Sequence, residues 1–504
     1  MTTFSGVLGA LIGWTEHAVF WYMLLLNTSY AGLLLLAIVE LADQWHLAGD
    51  KQTGLELGSH ALPPISVLVP AYNEEATIVS SVISFLTLEY PRHDVVVVND
   101  GSRDATMAVM IAEFELYQVP PAVHIRIQSA PVRAYYRSRR FSRLMVIDKE
   151  NGGKADSLNA ALNAARHPYV LAVDADTIVE PDALIRLSRP FTLGKQVAAI
   201  GGTVRIANGC RVSHGRVFDP RVDSRWLPGI QTVEYLRAFL FGRLGFNRLG
   251  GNMIISGAFG LFSRSHMLAI GGYEHGNVTE DMDLVVRLHR WLREHRDPSI
   301  VTFIPDPVAW TEVPTSLAVL GRQRERWHRG LIATMWTRRS MLFNPRDGVI
   351  GMVSFPFFFF GEMLAPLIEL LGYAMAGAAI VSGRFDSSFA MLFLGVSIGY
   401  GALLSFWTVL LEQMTFRRYT DANDIWRMLA FALLENVGYR QLTAWWRLKA
   451  FYNFAKGERG WGKMVREGFR GSPASIPAVA EAAGAEPVRP SATEPRTVPE
   501  RRVA

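Results

Sequence analysis

Apolar runs long enough to cross a bilayer lie near the two ends of this chain and not between them. That distribution limits its fold more than any other feature. Residues 18–41, AVFWYMLLLNTSYAGLLLLAIVEL, are long enough for one crossing. No Lys or Arg occurs from Met1 to Asp50, so the basic start of a secretory signal is missing. The segment reads as a retained anchor with its N-terminus outward. A second oily zone begins near Gly348: 348–382 is interrupted by Pro356 and Pro366, 388–411 is a clear span, and 425–446 is a weaker one carrying Arg427, Glu435 and Arg440. Three crossings would leave the basic stretch RLKAFYNFAKGERGWGKMVREGFR outside, against the positive-inside trend. Either 425–446 is a re-entrant or surface hairpin, or 348–382 hides an extra short crossing. Glu362 and Glu369 lie in this zone at a cost of roughly 2.5–3.5 kcal/mol each on insertion scales, so they are expected to face protein or water.

Half of the residues are hydrophobic and 19% are charged, with mean hydropathy +0.15. That is oilier than most soluble proteins and too polar for a chain wholly in the membrane. A single cysteine, Cys210, excludes an internal disulfide and a cysteine-rich metal cluster. The net charge of +5 suits anionic lipid or phosphate better than nucleic acid. RAYYRSRRFSR (133–143) is expected to be a solvated hairpin. Residues 471–504, rich in Ala, Pro, Glu and Arg without periodicity, are expected to be disordered.

The middle alternates strand-like and helix-like patterns. ISVLVP (65–70), DVVVVND (94–100) and YVLAVDAD (169–176) are apolar runs that stop on polar residues. Ile78, Val82, Phe85 and Leu86 fall at helical spacing behind Asn73, a candidate cap. Fully apolar strands alternating with helices imply a parallel α/β sheet covered on both faces, with ligands at the carboxyl ends of the strands. Those ends carry PAYNE, NDGS and DAD. NDGS alone is a turn by composition, but acids directly after buried strands need a reason. Two carboxylates two residues apart suit a hard divalent cation that takes its other ligands from a diphosphate.

ENGGKADSLNAALNAA (150–165) offers glycines for close backbone approach and Lys154 to offset phosphate charge. Asp156 is equally explained as a helix-start carboxylate. In VTEDMDLVVRLHRWL (278–292) a helix opens at Thr279, with Leu284, Leu288 and Trp291 or Leu292 on its buried side. Glu280, Asp281 and Asp283 crowd its first turn, and spacing does not choose a general base among them. In QRERW (323–327), Gln323, Arg326 and Trp327 fall on one helical face, and the helix from about Arg322 to Met335 suits a membrane surface.

PAYNEE, NDGS, GGKADSLN, DAD, TED and QRERW, in this order and flanked by membrane segments, resemble the family 2 glycosyltransferases, specifically the membrane synthases of cellulose, chitin-like oligomers, hyaluronan and poly-N-acetylglucosamine. The resemblance implies an α/β GT-A (Rossmann-like) domain inserted between transmembrane helices, and inverting transfer from a UDP-sugar with Mg2+ or Mn2+. It implies that Asp100 contacts the uracil beside Tyr72 and Glu74, and that Lys154 and Asp156 belong to the donor site. Asp174 and Asp176 would be the metal-binding pair and Asp281 the catalytic base. Gln323 and Arg326 would line the diphosphate site, and Trp327 would be a stacking floor for the acceptor sugar. Expected partners are a UDP-sugar, a polysaccharide or lipid-linked acceptor and membrane lipid, with no nucleic acid. The gating-loop signature of cellulose synthases is missing after QRERW.

The organisation expected is an anchor (1–45), a cytosolic transferase domain (60–320), an interfacial helix (321–346), a C-terminal transmembrane region (347–446), a basic amphipathic segment (447–470) and a tail (471–504). The protein is expected to be multi-pass in the inner (plasma) membrane, making a polysaccharide of glucose or N-acetylglucosamine processively and exporting it. Two other readings are a single-transfer enzyme with a lipid acceptor and a non-catalytic membrane adaptor. Intact acids at every motif argue against the second.

Overall fold

The structure, a computed structural model, describes residues 2–48, 62–213 and 216–458. The expected tail, and the expected basic segment beyond Glu458, lie outside these residues. Twelve strands occur among the described residues: β1 (Ile65–Ala71), β2 (His93–Asn99), β3 (Leu116–Val119), β4 (Val132–Ser138), β5 (Leu144–Lys149), β6 (Tyr169–Val173), β7 (Ile178–Val179), β8 (Val197–Ile206), β9 (Arg211–Ser213), β10 (Arg216–Asp219), β11 (Phe259–Ser263) and β12 (Ile300–Thr311). Ten of them form one sheet in the order β3-β4-β5-β2-β1-β6-β11-β8-β12-β7.

The expected parallel sheet holds for β5, β2, β1 and β6, whose parallel register brings the ends of β1, β2 and β6 to one edge. It fails beyond β6. There β11 enters antiparallel, with Phe259 opposite Val173 and Ser263 opposite Tyr169. This reversal delivers the residues just before β11, including Gly257, to the edge where DAD leaves β6. A sequence pattern of buried strands carries no sign of it, because a strand covered on both faces looks alike in either direction. The arginine-rich 133–143 segment forms β4 and its turn into β5, an antiparallel hairpin as expected.

Alternate side chains of the all-apolar strands point to opposite faces, and each face has its own core. On one, Leu68, Val96, Val98, Ile147 and Val170 pack with Leu158 and Leu162 of the helix Lys154–Ala164 and with Leu284 and Leu288 of the helix Glu280–Glu294. On the other, Val67, Val69, Val95, Val97 and Leu171 pack with Phe85 of the helix Ile78–Leu86. That second core continues into Leu33, Leu34, Ala37 and Leu41 of the N-terminal helix (Thr2–Ala48) and into Leu404. The sheet therefore shares a core with membrane-type helices.

Asn73 is not the expected helix cap. It adopts φ 56 and ties the loop after β1 to the next one, while Thr77 precedes the helix. The helix at Thr279 starts where expected, with Leu284, Leu288 and Leu292 buried. The QRERW helix is longer than expected, Leu317–Thr337, capped by the Ser316 hydroxyl accepting from Val319 N–H.

Among the described residues two helical stretches are long and apolar enough to cross a membrane, Ile12–Gln44 and Ser387–Thr415. Ile350–Met363 and Ala365–Val381 form a third as a pair bent by 40°. Pro366, which lacks an N–H, sits in the first turn after this bend, whereas Pro356 lies inside the first member between two π-helical stretches. Residues 425–446 make no single span. Helices Ala422–Leu434 and Arg440–Ala455 are separated by non-helical Val437 and by Gly438 at φ 83.

One ion pair fastens the sheet to a membrane-type helix. Arg205 of β8 donates from Nη1 and Nη2 to Glu412 Oε1 and Oε2 at 2.8 and 2.6 Å, and neither side chain is more than 1% exposed. Phe416 and Tyr419 flank the guanidinium, each 5.7 Å from it. Glu412→Ala strands a buried cation, with an expected loss of about 3–5 kcal/mol. The check is a lower thermal midpoint in detergent for that variant than for the double change Arg205→Met with Glu412→Met.

Candidate active site

The ends of β1 and β2 are locked together before any ligand is considered. Asn73 N–H donates to Ser102 Oγ at 3.0 Å, and Arg103 N–H donates to Asn73 Oδ1 at 2.8 Å. Glu75 N–H donates to Asp104 Oδ2 and Ala105 N–H to Glu75 Oε2, at 3.2 and 2.9 Å. Tyr72, 43% exposed, and Glu74 line a cavity above this edge.

Asp100 and Asp156 are both tied to one buried lysine. The Asp100 carboxylate is 4% exposed and accepts from Lys149 Nζ, Gly152 N–H, Gly153 N–H and Asn151 Nδ2, at 2.7 to 3.1 Å. It fixes the GGK loop against the end of β2, and Gly101 turns at φ 66 where a Cβ would meet Asn151 N at 2.8 Å. Asp156 shares the same lysine, Nζ to Oδ1 2.5 Å, and accepts from Ala130 N–H. It is not among the residues that line the cavity, whereas Asp100 forms part of the wall. The buried lysine that holds both acids, Lys149, escaped the sequence reading. Its only signal is a cation closing the apolar strand LMVIDK.

The chemistry-bearing acids gather around a second lysine. Lys154 Nζ lies 2.5 Å from Asp174 Oδ1 and 3.7 Å from Glu280 Oε1, and donates to Gly257 O at 3.0 Å. Burial disfavours its ammonium, but Asp174 and Glu280 more than offset that and hold its pKa above the usual lysine range. Burial also pushes Glu280 up to about 7, with Lys154 pulling against the rise and Asp281 adding to it. Asp281 accepts from Gly257 N–H at 2.9 Å and Met282 N–H at 2.8 Å. Asp283 is removed from the chemistry, since Arg287 and Arg338 hold it at 2.7 and 3.0 Å away from the cavity. Glu280 and Asp281 remain in the wall beside Asp174 and Asp176.

Gln323, Arg326 and Trp327 all face the same cavity, as their spacing requires. Gln323 is 8% exposed, and its Oε1 has no hydrogen-bond partner among the described residues. Trp327, 36% exposed, has the Arg324 guanidinium 4.5 Å from its ring centre, and Glu234 in turn holds Arg324 at 2.6 Å. This helix is seated on the TED helix at Gly330, where a Cβ would lie 2.3 Å from Thr279 Cγ2. From there the cavity, about 1780 Å³, runs on to Tyr30, Glu362, Glu369, Asn436 and Thr443 between the membrane-type helices. Glu362 and Glu369 face protein as expected, paired with Arg447 and Arg440.

Residues 63–330, more than half of the chain, match the family described as Glycosyltransferase like family 2. The chain belongs to that family. Curated relatives include poly-β-1,6-N-acetyl-D-glucosamine synthases of Staphylococcus epidermidis, 27% identical over 278 residues (54% of this chain, 57% of that protein), and Staphylococcus aureus strain COL, 29% identical over 293 residues (56% and 60%). The match thus spans less than two thirds of those relatives. Solved structures that resemble it include the mannosyltransferase PcManGT from Pyrobaculum calidifontis in complex with GDP-Man and Mn2+ (TM-score 0.48, 17% identity, 84% of this chain and 99% of that one). Another is TarS 1–349 of S. aureus with UDP-GlcNAc (TM-score 0.39, 14% identity, 75% and 92%).

In this family member, no group of three or more His, Cys, Asp or Glu among the described residues is placed to hold a metal unaided. Asp174 and Asp176 offer two carboxylates at the cavity wall, which fits a hard cation that draws further oxygens from water and a diphosphate.

The raised pKa of Glu280 sets a pH dependence. Between its unfolded value of 4.5 and about 7 the folded protein binds the extra proton. Stability is therefore full at the acid end and falls as pH rises through about 7. In ligand-free protein, Glu280→Gln should flatten that fall. Thermal midpoints measured from about pH 5 to pH 8 check it, and equal slopes for both proteins would contradict the assignment.

Proposed function

We propose that the protein is an inverting, metal-dependent transferase that moves a sugar from a UDP-sugar onto a growing polysaccharide and feeds the chain into the membrane. The observation that carries this reading is the single cavity joining the acid cluster, the Trp327 face and the ion-paired residues between the membrane-type helices. The names of the curated relatives favour N-acetylglucosamine as the sugar, with glucose second. The catalytic domain is placed on the cytoplasmic side of the inner membrane, where nucleotide sugars are made.

Each residue has a task in this reading. Tyr72 and Glu74 bound the nucleotide pocket, and Asp100 and Asp156, clamped by Lys149, hold the GGK loop that forms its floor. Asp281 accepts the proton of the acceptor hydroxyl, while Gly257 N–H and Met282 N–H keep its carboxylate oriented. The acceptor oxygen forms the new bond to the anomeric carbon as the bond to the β-phosphate oxygen breaks, and UDP departs with that electron pair. Gln323 and Arg326 line the side where this charge develops, and Lys154 adds a fixed positive charge. Trp327 offers its free face to the apolar face of a pyranose. A divalent ion held by Asp174 and Asp176 supplies Lewis-acid neutralisation of the diphosphate when bound.

The test uses purified full-length protein in lipid, with UDP-glucose, UDP-N-acetylglucosamine and UDP-glucuronate offered singly and in pairs, and the product sized and digested. Polymer from at least one donor is expected, stopped by EDTA and restored by Mg2+ or Mn2+; full activity in chelator would remove the Asp174–Asp176 assignment. Asp281→Asn should lower transfer by about 10²–10⁴-fold with UDP affinity kept. Loss of UDP binding as well would move Asp281 to the donor pocket. Trp327→Ala should cut polymer length more than it cuts donor hydrolysis, and equal loss of both contradicts the acceptor floor.

A further inference from the structure

The arginines along the cavity are not equivalent. Arg237, Arg324, Arg440 and Arg447 each hold a carboxylate, on Glu435, Glu234, Glu369 and Glu362. Arg243, which also lines the cavity, has no such partner among the described residues. Its Nη1 is buried and unbonded, and its guanidinium lies 3.8 Å from the centre of the Phe239 ring. Burial pulls it down to about 10, with the Asp281 charge working against the fall. Arg243 as a whole is half-buried at the cavity wall, and at its buried Nη1 an aromatic face is a weak substitute for a counter-charge.

Its place in the fold is specific. Arg243 ends the π-helical stretch Ala238–Arg243, a helix form often found at functional sites. Two residues later Gly245 touches the N-terminal helix so closely that a Cβ would lie 2.5 Å from Leu33 O. Arg243 therefore stands where the cavity passes from the strand ends to the membrane-type helices, within electrostatic reach of Asp281. A sugar resting on Trp327 with a hydroxyl at Asp281 turns its other substituents toward the remaining walls. Hydroxyls can bond to carboxylates and to Gln323 Oε1. A guanidinium with spare N–H donors selects a stronger acceptor.

We propose that Arg243 is a specificity residue of the acceptor path, binding a carbonyl-type oxygen, an acetamido carbonyl or a uronate carboxylate, carried by the sugar that enters it. The inference rests on the transferase reading above and adds the class of acceptor. It makes plain hexose chains the poorer acceptors, because the arginine is then left without a bond.

The experiment compares wild type, Arg243→Gln and Arg243→Lys, each full-length in lipid vesicles, with short oligosaccharides of glucose, of N-acetylglucosamine and of glucuronate-containing repeats. Thermal midpoint and UDP affinity confirm that each variant is folded, and the lysine variant retains the charge if the glutamine one does not fold. Arg243→Gln should raise KM about ten-fold for acetamido or carboxylate acceptors, against about two-fold or less for glucose chains and for the UDP-sugar donor. The acceptor that suffers identifies which oxygen is bound, and Arg243→Lys should rescue the carboxylate better than the amide. A rise shared equally by all acceptors, or one confined to the donor, overturns the inference alone. Absence of any donor turnover in wild type overturns the transferase reading and this inference with it.

Discussion

The Lys154 ammonium is the point on which the site depends. Asp174 at the end of β6, Glu280 at the start of the TED helix and the Gly257 carbonyl in the approach to β11 all converge on it. Without that cation, Asp174 and Glu280 would lose the ammonium beside them, and the upward pull of burial on the Glu280 carboxyl would lose the charge that opposes it. With it, segments distant in sequence share one electrostatic centre in ligand-free protein. In the proposed reaction an incoming diphosphate would meet a site already balanced and oriented, which is the condition under which fixed charges favour a transition state over a ground state.

The second constraint is mechanical. One face of the sheet packs directly on the N-terminal helix, and the Arg205–Glu412 pair ties β8 to the helix Tyr400–Thr415. The membrane-type helices are thus part of the catalytic domain's own core. The same arrangement lets one cavity begin at the strand ends and finish among the ion pairs of Glu362 and Glu369. Those paired carboxylates keep a polar lining among apolar helices, where unpaired buried ones would be costly.

Much of this was readable from residue patterns, for identifiable reasons. All-apolar runs located β1, β2 and β6, and helical spacing put Gln323, Arg326 and Trp327 on one face. What escaped depends on contacts between distant segments. The antiparallel insertion of β11 left no local trace, so the two hydrogen-bonding roles of Gly257 were invisible. Asp100 and Asp156 stand out in the sequence as acids beside turns and a helix start, but their shared buried partner Lys149 ends a strand that neither motif includes. The structure turns them toward the loop they hold. Asn73 illustrates competition between local roles: a good helix cap by type, it serves instead as a bridge between two loops. For 425–446, hydropathy left a span and a re-entrant or surface hairpin both open, because it does not register the break in the helix at Val437 and Gly438.

The central claim is that sugar transfer and passage through the membrane-type helices share one cavity. Photo-crosslinking from a benzophenone side chain at position 443, on the cavity wall, tests it most directly, with position 391 on the exposed outer surface as control. With radiolabelled donor, the account predicts that labelled product is captured at position 443 and not at position 391. Normal synthesis with no capture at 443, or equal capture at both, would contradict it.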